Sequence, residues 1–203
     1  MQRLLLQKLV LPILVVTSVL TAATPISEVL GRYQNGTISV DYSLDIYWFV
    51  RERTSSRKGT LLFNQEGAYR VELGRHQWVC DGTEVWQYSK RKGMVTVYSL
   101  NRSPFESPKS LFAFLNSKSF TAIDSTNPLT TKAHWSSDDA SSAYKEATIT
   151  IDLGAKEVQE IVLVAQSGDR YTYQLIATNF SAVAGPNDFT FVIPKGVEVV
   201  EKR

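Results

Sequence analysis

Apolar and polar residues alternate with a period of two along most of this chain. The clearest run sets Ile38, Val40, Tyr42, Leu44, Ile46 and Trp48 against Ser39, Asp41, Ser43, Asp45 and Tyr47. Alternation of this length predicts a strand with one buried face. The basic stretch Arg51 to Lys58 then reads as a hairpin loop, and Leu61 and Phe63 open a second strand. Tyr69, Val71 and Leu73 mark a third, and His76 to Asp81 and Glu84 to Ser89 flank Asp81-Gly82, a hairpin signal. Strands also follow over Met94 to Leu100, Ala147 to Leu153, Val158 to Gln166, Arg170 to Ala177, Phe189 to Ile193 and Val197 to Val200. Helical spacing is confined to Ile26–Leu30 after Pro25, and to Leu111, Phe112, Phe114 and Leu115 after Pro108, a residue suited to the first turn. Ser117 to Asp139 is rich in Ser, Thr, Asn and Asp and holds short strands at most. About ten antiparallel strands at this spacing predict a sandwich or barrel. No linker divides them, so one domain is expected.

Composition narrows the function classes. At 43% apolar and 21% charged, the 203 residues can build an ordinary core, which excludes a disordered tail or a coiled coil. Arg3 and Lys8 are the only charges in the first 23 residues, and the remainder balances 20 basic against 20 acidic side chains. A chain of zero net charge lacks the electrostatic footprint of a nucleic-acid binder. Arg3 and Lys8 precede the apolar run Leu9 to Leu20, and Thr21-Ala22-Ala23 supplies small residues for cleavage. Residues 1–23 are thus expected to be a secretory signal peptide and 24–203 the mature domain. The run is short for a membrane span, Pro12 interrupts it, and no cysteine stands at the cleavage point for a lipid anchor.

Candidate chemistry is sparse. Cys80 is the single cysteine and lies between apolar neighbours, the setting of an inert buried thiol. His76 and His134 are far apart in sequence, and Asp138-Asp139 falls in a Ser-rich loop. No nucleophile, base and orienting group assemble, so no catalytic site, cofactor or metal is expected. Aromatic residues reach 11%. On curled strands they either fill a core or line a greasy cavity, and periodicity leaves both open.

Four passages resemble the family of the periplasmic lipoprotein carrier LolA. The first is the helix and long strand over Ile26 to Val50, followed by Gly59-Thr60-Leu61-Leu62-Phe63. The second is Tyr69 to Leu73 with Val79-Cys80-Asp81-Gly82-Thr83-Glu84-Val85-Trp86-Gln87-Tyr88, like the family's V-x-D-G-x-x-x-W-x-Y hairpin. The third is the proline-led segment Pro108 to Leu115. The fourth, Phe189-Thr190-Phe191 through Pro194, Gly196 and Val197, is similar to its F-x-F-x-x-P-x-G-V finish. The resemblance implies a mainly β fold, an unclosed antiparallel barrel of about ten to eleven strands whose short helices form a lid over an apolar cavity. It implies a soluble periplasmic monomer that shelters the acyl chains of lipoproteins. An inner-membrane ATP-driven transporter would load it, and an outer-membrane receptor lipoprotein would unload it. On that reading the cavity is expected from Val40, Leu44, Ile46, Leu61, Phe63, Tyr69, Val71, Trp86, Ile149, Ile151, Tyr173 and Leu175, with Phe112 and Leu115 on the lid. The family's lid-latching arginine, usually followed by proline, is replaced by Gln65-Glu66, a neutral donor of shorter reach. The alternatives are a lipid-sensing regulatory domain of similar fold and a secreted lipid-modifying enzyme.

The Thr21-Ala22-Ala23 site yields the first prediction. Amino-terminal sequencing of the secreted protein is expected to begin at Thr24, and a start at Met1 would overturn the export assignment.

Overall fold

A computed structural model describes residues 26–124 and 126–202; the expected signal peptide lies outside the described residues. Helix α1 (Ile26–Arg32) leads into β1 (Thr37–Trp48) and β2 (Arg53–Asn64). Then come β3 (Tyr69–Leu73), β4 (His76–Cys80), β5 (Glu84–Ser89) and β6 (Met94–Ser99). Helix α2 (Pro108–Asn116) separates these from β7 (Thr121–Asp124), β8 (Thr130–Ser136), β9 (Tyr144–Asp152), β10 (Glu157–Ala165) and β11 (Arg170–Asn179). The last strand is β12 (Glu198–Lys202). All twelve join one sheet in the order β12-β6-β5-β4-β3-β2-β1-β11-β10-β9-β8-β7. The pairings are antiparallel except the edge pair β12 and β6, which is parallel. The two edge strands do not pair with each other, so the curled sheet stays open.

The strand order dictates where the lid goes. β6 lies next to one edge of the sheet and β7 forms the other. The connection between them must cross the gap, and α2 is what crosses. Its start is well specified: the Ser107 hydroxyl accepts from the Ser110 backbone N–H at 3.0 Å, and Pro108 occupies the first turn. α1 packs beneath it, with Val29, Leu30 and Tyr33 fully buried. The Tyr33 ring stacks on Phe112 at 4.3 Å, and its hydroxyl accepts from Val158 N–H at 3.1 Å.

Three local expectations are corrected. Arg53–Lys58 is strand rather than loop: β2 pairs with β1 from Trp48↔Arg53 onward, and the turn shrinks to Phe49–Glu52. These residues are polar because β3 joins β2 only from Gly59 on, so this stretch of the ribbon stands beyond the barrel wall. Phe189–Ile193 is not strand. It crosses the outer face of the sheet, where Arg70 donates to the carbonyls of Asp188 at 2.6 Å and Thr190 at 3.0 Å, and Phe191 meets Tyr88 at 5.9 Å. The strands number twelve, because the polar stretch after α2 supplies both β7 and β8.

The Asp81-Gly82 hairpin gives this motif its physical content. One Asp81 carboxylate oxygen accepts from Thr83 N–H at 2.8 Å, Glu84 N–H at 2.9 Å and the Thr83 hydroxyl at 2.7 Å, while Gly82 supplies the positive φ of 102°. These bonds hold the Asp81 carboxyl below the ordinary carboxylate range, against the opposing effect of its partial burial. Asp81→Ala is expected to cost about 1–2 kcal/mol, the scale of lost hydrogen bonds to a charged acceptor. A urea midpoint unchanged from wild type would refute this.

Candidate functional site: an apolar cavity under the lid

Side-chain alternation and strand register stack the inward-facing residues in layers. Ile38, Phe63, Tyr69, Cys80 and Val85 lie at one level, and Val40, Leu61, Val71 and Trp78 at the next. Tyr42 and Leu73 follow beside Gly59, and Leu44 faces Arg57 beyond them. The first level is filled: Phe63 packs on Phe112 at 5.9 Å, and Tyr69 and Cys80 are buried. Farther toward the β1–β2 ribbon the helices no longer reach, and a cavity of about 410 Å³ remains.

One wall of that cavity is β1 with its neighbours, bringing Val40, Tyr42, Leu44, Ile46 and Trp48. Leu61, Val71, Leu73 and Trp78 form a second wall, and Ile161, Tyr171, Tyr173 and Leu175 a third. Gly59 lets Tyr42 lie close: a Cβ there would press on the Tyr42 ring at 3.0 Å and collide with the Glu72 carbonyl. The roof is the segment Pro104 to Phe112. Phe105 stacks on Trp78 at 4.8 Å on one side, and the Tyr144 hydroxyl of β9 donates to the Glu106 carboxylate at 2.6 Å on the other. The lid is thus fastened to both flanks of the open sheet. Burial raises the phenols of Tyr42, to about 12, and of Tyr173, so both line the space as neutral groups. The Glu106 carboxyl leans over this lining, which raises its pKa, and the Tyr144 hydrogen bond pulls it back down.

Of the residues expected at the cavity, the structure brings together Val40, Leu44, Ile46, Leu61, Val71, Phe112, Tyr173 and Leu175. Phe63, Tyr69, Leu115, Ile149 and Ile151 face inward but lie in the filled core, at 0–2% exposure. Trp86 is placed on the opposite face: it pairs with Val79 and Val97, while its neighbour Val85 points inward. Sequence reasoning missed Tyr144, Phe105, Glu106 and Arg57. Glu106 and Arg57 carry charge and so fail any filter for apolar linings. The Gln65 side chain does not reach the lid; it bonds Glu66 at 3.0 Å and accepts from Gly36 N–H at 3.4 Å. The link to α2 runs instead from the Lys109 ammonium to the Gln65 backbone carbonyl. On the far side, Arg32 of α1 donates to the Ala155 carbonyl at 3.1 Å and lies 3.8 Å over the Phe180 ring. Among the described residues no cluster of His, Cys, Asp or Glu could hold a metal ion, and no helix is long and apolar enough to cross a membrane.

An open antiparallel half-barrel with a helical lid over an apolar pocket is an architecture suited to binding apolar ligands. The chain belongs to the family of the outer membrane lipoprotein carrier protein LolA, which matches residues 50–192. No curated protein matches it by sequence. A crystal structure of an uncharacterized conserved protein from Thermus thermophilus superposes with a TM-score of 0.56 at 12% identity, covering 87% of this chain and 97% of that one. LprF from Mycobacterium bovis gives 0.47 at 12% identity over 81% and 97%. A LolA superfamily protein from Nitrosomonas europaea gives 0.45 at 8% identity over 83% and 99%.

The Tyr144–Glu106 pair carries a prediction with a defined sign. Burial favours the protonated carboxyl and the phenolic donor favours the carboxylate, so Tyr144→Phe is expected to move the Glu106 pKa further up. Carbon-13 NMR titration of the Glu106 carboxyl reads the shift, and a downward or null change would remove Tyr144 as its partner.

Proposed function

We propose that this protein is a periplasmic carrier that shelters lipoprotein acyl chains in the cavity beneath α2. It takes them from an inner-membrane ATP-driven release transporter and delivers them to an outer-membrane receptor lipoprotein. The observation that carries this reading is the unfilled apolar space itself, walled by aliphatic and aromatic side chains and roofed by a segment tied down at its margins. Two or three acyl chains carry on the order of 40 methylenes, and at about 0.8 kcal/mol each their exposure to water costs roughly 30 kcal/mol. Replacing that water with side chains requires no catalytic residue. At about 410 Å³ the cavity equals roughly a dozen water molecules of liquid. A methylene takes comparable room, so one chain fits beneath the lid and a triacylated cargo requires Pro104–Phe112 to lift.

A second reading is a lipid-sensing regulatory domain of similar fold. It uses the same cavity but has no need to hand the lipid on, so transfer of bound lipopeptide to acceptor vesicles or receptor separates it from the carrier.

Two substitutions test the cavity. Leu44 borders open space, so Leu44→Glu is expected to fold, its carboxyl reaching water or staying protonated, with the thermal midpoint shifted only modestly. Binding of a triacylated lipopeptide is expected to fall at least tenfold, because the chains then meet a polar wall. Ile151 is fully buried in the packed core, and Ile151→Glu is expected to unfold the domain. A folded Leu44→Glu protein with full lipopeptide affinity would refute the proposed site.

A further inference from the structure

The inner wall of the sheet changes character at its rim. Val40, Leu61, Val71 and Trp78 form an apolar layer, but the layer that follows across β4 to β6 reads His76, Ser89 and Met94. Trp78 stacks on His76 at 5.6 Å, so the apolar lining passes directly into this polar stretch. Two turns close over it. Gly74-Arg75 joins β3 to β4, Lys90–Gly93 joins β5 to β6, and the Lys90 N–H donates to the Arg75 carbonyl at 3.0 Å.

The result is a second concavity, lined by Arg57, Gly74, Arg75, His76, Ser89, Arg91 and Lys92. It contains four permanent cations and no acid. None of the four forms an ion pair among the described residues, where the pair found is Lys156 with Glu28. The buried Nδ1 of His76 has no hydrogen-bond partner there. Four of the 20 basic side chains beyond residue 23 therefore stand together at one rim, with no acid among the lining residues. Arg57 lines both this concavity and the apolar cavity. A ligand filling both is an amphiphile whose charge is negative and sits at the end of its chain.

We propose that this basic concavity binds the phosphate headgroup of an anionic lipid whose acyl chain occupies the apolar cavity. Guanidinium forks match phosphate oxygens in pairs, and uncompensated cations favour a phosphate over a neutral or zwitterionic head. His76 supports the assignment. Burial, then Arg57 and Lys92, holds its pKa below the ordinary histidine range, and its Nδ1 has no hydrogen-bond partner among the described residues. The assignment rests on the acyl-chain cavity proposed above and names the chemistry of what enters it.

The test compares one chain on different heads. Displacement of Nile red, a neutral probe, is measured with lauroyl lysophosphatidylglycerol, lauroyl lysophosphatidylcholine and monolaurin at low salt. The phosphatidylglycerol lipid is expected to bind at least tenfold more tightly than either of the others. In the Arg75→Gln/Arg91→Gln double variant that preference is expected to shrink to within twofold, with monolaurin unchanged. Equal affinity for all three lipids in the wild type overturns the headgroup pocket while the cavity stands. Failure of every lipid to displace the probe overturns the cavity, and the headgroup pocket with it. Inorganic phosphate alone is added while the His76 imidazole is followed by NMR. A response as large as that to the anionic lipid would assign the pocket to free phosphate and also overturn the proposal.

Discussion

The open seam between β12 and β7 is the constraint on which the remaining architecture depends. A closed barrel of about eight strands fills its interior with its own side chains. Here the sheet curls without closing, and its inner apolar face must be covered by something other than strand. The chain passes from β6 to β7 across the seam, and it does so with the apolar side of α2 turned inward. α1 enters from the other direction and wedges Val29, Leu30 and Tyr33 between α2 and the strands. Fold and lid are therefore one device: the connection that completes the topology also roofs the interior.

The helices cover less than the sheet offers. Near α1 the interior is packed, with Phe112 sandwiched between Tyr33 and Phe63 in nearly parallel rings. Toward the β1–β2 ribbon the aromatic rings of Tyr42, Tyr171 and Tyr173 stand around a space instead of filling it. The roof over that space is held by contacts of different kinds. Phe105 on Trp78 is a face-to-face stack, Tyr144 to Glu106 a single charge-assisted hydrogen bond, and Lys109 to the Gln65 carbonyl an exposed tether. None is comparable to the buried core beneath α1. Such a distribution concentrates low local stability in the segment that the proposed cargo would displace.

The strand pattern was legible because half-buried strands write their burial into alternate residues, and β1 does so over its whole length. The division between filled core and open cavity was not. Ile149 and Ile151 share β9 with Tyr144, yet the first two are packed and the third lines the pocket. What separates them is how far the helices reach, a distance that no residue on β9 encodes. Trp86 misled for a related reason. Its aromatic ring suggested the interior, but the outer face of β3 to β6 is itself covered by the segment around Phe191, so an aromatic residue there also finds shelter. The hairpin and C-terminal motifs of the family meet in that contact, Tyr88 on Phe191. The lid tether escaped notice because it uses the backbone carbonyl of Gln65, a group every residue carries. Arg57 and Glu106 escaped because charge argues against burial until the neighbouring surface is known.

A sheet that does not close keeps two free edges, each a row of unpaired backbone groups able to recruit a strand from another molecule. This chain ends both edges briefly. β7 runs only Thr121–Asp124, and β12 only Glu198–Lys202, with Glu198, Glu201 and Lys202 among its five residues. β12 also joins β6 in parallel, at the end of a segment already anchored across the outer face. Short, charged and tethered margins discourage edge-to-edge stacking, so the open seam need not invite self-association.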